Sequence, residues 1–181
     1  PDLDAVVRGL ADERRAWRQS HHRLQEPGPR ELPSRERIAQ IVEGLRGALF
    51  PMRLGPADLR QENENRYVAL TLDSVLSELV VQVQLELSWD ARHHAPAPAE
   101  PATGRAEALV ASFASSLPDI RRLLDTDVVA AFRADPAARS VDEVLLCYPG
   151  IQALINHRIA HRLYQLGVPL IARLISELAH S

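Results

Sequence analysis

The stretch VALTLDSVLSELVVQVQLEL, residues 68–87, decides the fold class. Val68, Leu72, Val75, Leu76, Leu79, Val80, Val83 and Leu87 recur at steps of three and four, the spacing that lines one face of an α-helix. The pattern predicts one long helix over about 57–89, carrying the largest apolar stripe of the chain. Upstream, the Pro51 to Pro56 break separates it from a helix predicted over 34–50, with Ser34 as N-cap and Ile38, Ile41, Val42, Leu45 and Leu49 along one face. Further upstream, Pro27, Gly28, Pro29 and Pro33 set a loop, and before them residues 2–20 place Val6, Leu10, Ala11 and Trp17 at the spacing of an amphipathic helix. Downstream, HHAPAPAEP (residues 93–101) alternates prolines and is predicted to be a semi-rigid loop. Two shorter helices follow over 104–116 and 118–132, the second turning Ile120, Leu123, Leu124, Val128 and Val129 inward. The remainder reads as a turn at Asp135-Pro136, a short helix over 141–147, a break at Pro149-Gly150, and helices over 151–166 and 169–179, divided by Gly167 and Pro169. With no strand alternation, internal repeat or Gly-rich phosphate loop, the expectation is an all-α bundle of about seven or eight helices. It is divided here into an arm at 1–33, a bundle at 34–134, and the turn with its following helices at 135–181.

Composition narrows the function classes. Hydrophobic residues make up 46% of the 181 but aromatics only 4%, so the core must be built from Leu, Val, Ile and Ala. A formal net charge of -3 provides no basic field for phosphate backbones, and nucleic acid is not an expected partner. All 21 basic residues are Arg; without Lys there is neither a Schiff-base amine nor a P-loop ammonium. A single cysteine, Cys147, rules out an intrachain disulfide and suits a reducing compartment. No run approaches ~18 consecutive apolar residues, and Asp2, Asp4 and Arg8 do not fit a signal peptide. A cytoplasmic location and no membrane partner are expected. The chain starts at Pro1 and its one Met is Met52, so residues are expected to precede Pro1.

Four places offer candidate chemistry. His157 and His161 are four apart on one predicted helix, a spacing used in helical metal sites, but no Glu or Cys completes a ligand set and Arg158 between them opposes a cation; a packing role is favoured and no metal is expected. His93 and His94 sit in the proline loop and read as solvated residues. Cys147, among Val144, Leu145, Leu146 and Tyr148, is expected to be buried and weakly acidic. Asp135 has two readings. Its carboxylate can cap a helix that starts at Pro136, or it can hold an ammonium group in a charge-assisted hydrogen bond; the residues alone favour the cap.

The segments ADPAARS (134–140), EVLLCYPGIQAL (143–154), HRIAHRLYQLG (157–167) and PLIARLISELAHS (169–181) together resemble bacterial serine acetyltransferases, in the family's order. Residues 34–132 resemble that family's helical N-terminal domain in architecture and length alone. The resemblance implies an acyltransferase that moves acetyl from acetyl-CoA to the hydroxyl of L-serine, on the way to cysteine. It further implies that the catalytic base and the CoA site lie in a left-handed β-helix that would start where this chain stops, at Ser181. The chain as given is therefore expected to hold no catalytic residue, to bind no cofactor and to be inactive alone. Carried over residue by residue, the family's pattern makes Asp135 a substrate-binding residue for serine, with capping as a simultaneous duty, and makes the helical domain a homo-oligomerising element. The alternative is a free-standing helical interaction or scaffold module.

Overall fold

The computed structural model describes residues 2–22, 30–93 and 102–178, and among them nine α-helices and one 3-10 turn form, with no strand. The chain divides into two units, Pro1–Glu31 and Leu32–Ser181. The first contains α1 (Leu3–Ser20), started by Asp2, whose carboxylate accepts the N–H groups of Asp4 at 3.1 Å and Ala5 at 3.2 Å. These are donors that a helix cannot satisfy within itself.

The second unit holds α2 (Arg35–Leu49), α3 (Pro51–Leu54), α4 (Glu64–His93), α5 (Ala102–Ser115), α6 (Leu117–Ala134), α7 (Val141–Cys147), α8 (Pro149–Gln165) and α9 (Pro169–Glu177). One continuous core joins them: Ile38 and Leu45 of α2, Leu79 and Val83 of α4, Phe113 of α5, Leu124 of α6, Val144 of α7, Ile155 and Ile159 of α8, and Ile171 and Ile175 of α9, each at most 1% exposed. Among the described residues Phe113 is the one aromatic ring buried to that degree, so branched aliphatic side chains fill the interior, as the sparse aromatics require.

α4 is the central element, and its carboxyl-terminal half is the buried one: Leu79, Val83 and Leu87 face the core, while Leu76, one turn earlier, is half-buried and Leu70 is exposed. The 61–93 stretch is long and apolar enough to cross a membrane by length and composition. In the fold α4 packs against α2, α5 and α9. Two of its polar residues are buried there, and each completes the start of another helix. The Gln82 side-chain oxygen accepts the Ser34 N–H at 2.8 Å, at the N-cap of α2, while its amide donates to Glu78 at 3.1 Å. The Glu86 carboxylate accepts the N–H groups of Leu170 at 2.7 Å and Ile171 at 2.9 Å, the second and third positions of α9. No local side chain caps α9, so Glu86 does so from α4. Burial pushes the Glu86 carboxyl above its ordinary range, the two N–H bonds pull it back, and Asp90 adds repulsion.

Most predicted elements are found, with shifts that have physical causes. α4 starts at Glu64 rather than near Ala57, because Pro56 opens a turn closed by the Leu59 N–H on its carbonyl at 3.1 Å, followed by a 3-10 turn over Gln61–Asn63. At its other end α4 continues through His93, whose Nδ1 lies 2.8 Å from the Trp89 carbonyl oxygen; His94 and the rest of the proline-rich stretch lie outside the described residues. The one helix not anticipated is α3, a single turn with Pro51 at its first position. At Pro149 the expected break is instead a start, since a proline at the first helical position loses no hydrogen bond. Between α8 and α9, Gly167 has φ +84°, its N–H reaches the Tyr164 carbonyl at 3.0 Å, and the Val168 N–H reaches that of Leu163 at 3.1 Å. This is the paired closure of a Schellman motif, with buried Val168 as its apolar contact.

Candidate functional site

The candidate site is built where α6 stops. Pro136 disfavours helical backbone at the residue before it, so Asp135 turns extended, at φ -113° and ψ 104°, and becomes the C-cap of α6. No helix starts at Pro136, so Asp135 is not the helix N-cap that the residues alone favour. Its carboxylate instead closes a turn: Oδ1 accepts the Ala137 N–H at 2.9 Å, while its backbone carbonyl accepts the Ala138 N–H at 3.1 Å. The N-cap duty falls to Ser140, whose Oγ accepts the Glu143 N–H at 3.1 Å at the start of α7. Glu143 Oε2 in turn accepts the Arg139 N–H at 2.8 Å, closing a variant of the capping box around the same loop. Across the other side of α7, Arg53 of α3 grips Asp142 through two bonds, at 2.7 and 3.2 Å.

The second carboxylate oxygen of Asp135 is held from a distance. Tyr148, between α7 and α8, donates its hydroxyl to Oδ2. This donor holds the Asp135 carboxyl below the usual carboxylate range, with the Ala137 N–H adding to the effect. The same bond, reinforced by burial and by the charge on Asp135, pushes the Tyr148 hydroxyl up to about 12. Among the described residues no Arg or His forms an ion pair with Asp135, in contrast to Asp127, gripped by Arg158 through two bonds of 2.9 Å. Asp135 is thus an ionised, oriented and half-buried carboxylate whose charge is not matched by a cation of the described chain.

The other candidates are not drawn into this site. His157 and His161 stack on each other with ring centroids 5.8 Å apart, His161 lies 3.0 Å from the Gln165 amide, and Arg158 between them is engaged with Asp127. Among the described residues no group of three His, Cys, Asp or Glu side chains is arranged to hold a metal ion. Cys147 is exposed, contrary to the expectation of a buried thiol. α7 has two turns and commits Val144 and Leu145 to the core, which puts Leu146 and Cys147 on the outer face despite their apolar neighbours. A groove of about 590 Å³ between α3, α6 and α7 is lined by Phe50, Val128 and Leu145 together with Arg53 and Arg121. Both arginines are already paired, with Asp142 and Asp125, and Asp135 is not part of that wall. Tyr148 was not among the candidates legible in the sequence: it stands in EVLLCYPGIQAL immediately before the Pro149-Gly150 break, and nothing in that pattern points to its contact with Asp135.

No protein-family model matches the chain. It is 47% identical over 152 residues to the plasmid serine acetyltransferase of Synechococcus elongatus, a match that covers 83% of this chain and 48% of that protein. A serine acetyltransferase of Synechocystis is 57% identical over 56 residues, 31% of this chain and 22% of its own length. The crystal structure of Entamoeba histolytica serine acetyltransferase 1 in complex with L-cysteine superposes with a TM-score of 0.59 at 27% identity, over 82% of this chain and 47% of that one. The described residues are all-helical, and the proteins they match are serine acetyltransferases. The chain is similar to these serine acetyltransferases, and spans about half the length of the Synechococcus relative and of the Entamoeba chain.

Proposed function

We propose that the chain is the helical, oligomerising part of a cytoplasmic serine O-acetyltransferase, which moves acetyl from acetyl-CoA to the hydroxyl of L-serine on the way to cysteine. The observation that carries this reading is identity of 47% sustained over 83% of the chain, far more than a shared bundle architecture requires. In this reading Asp135 is what the chain contributes to the substrate pocket: its carboxylate takes the ammonium group of serine. The geometry supports that role, since a charge-assisted hydrogen bond needs an ionised acceptor already oriented and not already neutralised. The base that accepts the serine hydroxyl proton and the site for acetyl-CoA belong to the rest of the full-length enzyme, so residues 1–181 alone are inactive.

Self-association is proposed through the helical bundle. Beside the amino-terminal half of α4, Leu45, Leu49, Val68, Leu72 and Leu117 line a groove of about 440 Å³. An apolar groove of this kind suits a side chain from a second copy of the chain. The experiment is an assay of the intact protein for serine-dependent consumption of acetyl-CoA, run beside residues 1–181 alone. Turnover by the intact protein and none by the shorter chain is the expected result. An intact protein without turnover would make the chain a helical interaction module instead.

A further inference from the structure

Asp135 and Tyr148 share a feature that their neighbours in the loop do not. Each immediately precedes a proline, Pro136 and Pro149, and each accordingly has extended backbone, with ψ 104° and 114°. Asp135 is anchored at the end of α6. Tyr148 is anchored on both sides: its N–H donates to the Val144 carbonyl at 3.2 Å, which closes α7, and its own carbonyl accepts the N–H groups of Ile151 at 3.0 Å and Gln152 at 3.2 Å, which opens α8. Its ring packs half-buried against the core. The phenol hydroxyl is therefore carried on a backbone fixed by two helices and a proline, and it meets the carboxylate 13 residues earlier.

A carboxylate offers about four acceptor positions. Ala137 occupies one on Oδ1 and Tyr148 one on Oδ2, so each oxygen keeps one for a further donor. Both donors in place are neutral, so they fix the direction of the carboxylate without cancelling its charge. We propose that Tyr148 is a positioning residue for serine: its hydroxyl clamps Oδ2 of Asp135 and turns the open acceptor positions of the carboxylate toward the ammonium group of the substrate. This rests on the reading of Asp135 as the serine-binding carboxylate. Tyr148 itself carries no charge and supplies no proton to the reaction; it acts through Asp135.

The test uses the intact protein. Tyr148→Phe removes the hydroxyl and keeps the ring in the core, so the KM for L-serine should rise about fivefold with kcat and the KM for acetyl-CoA unchanged, the pattern of lost ground-state positioning. Asp135→Asn should raise the serine KM further, and adding Tyr148→Phe to it should cost nothing more, because the two residues act as one unit. A rise with Asp135→Asn and none with Tyr148→Phe would overturn the proposal and leave the Asp135 reading standing. No rise with either would overturn both. A second readout concerns the contact alone: at about pH 10.5 the Tyr148 hydroxyl, followed by carbon-13 labelling of the ring, should remain protonated in the wild type and be largely ionised in Asp135→Asn. A wild-type Tyr148 that ionises near its ordinary value of 10.0 would show that the clamp does not form and would overturn the proposal without reference to turnover.

Discussion

The turns at Asp135, Ser140 and Gly167 and the long helix α4 are held in place by opposite means. From Asp135 onward, the decisive bonds of the turns are local: Asp135 to Ala137, Ser140 to Glu143, Asp135 to Tyr148 across 13 residues, and the Gly167 closure across one helix end. In α4 the decisive polar bonds reach 48 residues back, from Gln82 to Ser34, and 84 and 85 residues forward, from Glu86 to Leu170 and Ile171. A local bond leaves a mark in neighbouring sequence, whereas a distant one leaves a polar residue inside an apolar stripe and nothing else. The first region should therefore respond to single changes as separate small losses, and the second as loss of the whole core.

The largest effect is expected at Leu79, which is fully buried: Leu79→Ala should cost about 2 to 5 kcal/mol of stability in denaturant unfolding. Leu76→Ala, half-buried one turn earlier, should cost about half as much or less. Equal losses at the two positions would contradict the asymmetry of α4. Next comes the distant cap. Glu86→Ala leaves two N–H groups of α9, one buried and one half-buried, without an acceptor and should cost about 1 to 3 kcal/mol, part of it offset by relief of the buried charge.

The pH dependence of this residue has a definite sign. Its folded carboxyl is raised above 4.5, so the folded chain holds a proton there that the unfolded chain has lost. Its contribution to stability is fully present below the unfolded value and is lost as pH rises through the folded one. The stability of wild type relative to Glu86→Gln should accordingly increase as pH is lowered from neutrality toward 4.5. A difference that is flat across this window would show that Glu86 is not held in a desolvated site.

In the local region the losses should be smaller. Gly167→Ala forces a side chain into the left-handed region at φ +84° and should cost about 1 to 2 kcal/mol. Ser140→Ala removes one N-cap bond and should cost about 1 kcal/mol. Melting temperatures of the two variants, and of the pair, check whether these turns are independent: additive losses are expected.

The same contrast explains what could be read in advance. Ser34, Ser140, Gly167 and the prolines at 149 and 169 act within a few residues of themselves, and the helices they delimit were legible. So was the all-α class, from the three-and-four spacing of residues 68–87. Residues 81–87, Val-Gln-Val-Gln-Leu-Glu-Leu, alternate in polarity, and nothing nearby indicates that Gln82 and Glu86 are buried beside Val83 and Leu87. Their acceptors serve helices far along the chain, which sequence order does not reveal. At the candidate site, Asp135 was singled out by its motif, while its turn geometry was not legible, because a carboxylate before Pro136 suits either a helix start or a closed turn. Tyr148 meets Asp135 through one hydroxyl reaching 13 residues back, and a tyrosine before a proline has no pattern that announces this contact.

The central claim is that the ionised carboxylate of Asp135 binds the ammonium group of serine. Steady-state kinetics of the intact protein with Asp135→Asn and Asp135→Ala test it most directly, since Asn retains an oxygen for the Ala137 N–H but not the charge. The account predicts that both variants raise the KM for L-serine about tenfold or more and leave that for acetyl-CoA nearly unchanged. A wild-type serine KM in Asp135→Asn, with Asp135→Ala lowering only the melting temperature, would contradict it and reduce Asp135 to the anchor of its turn.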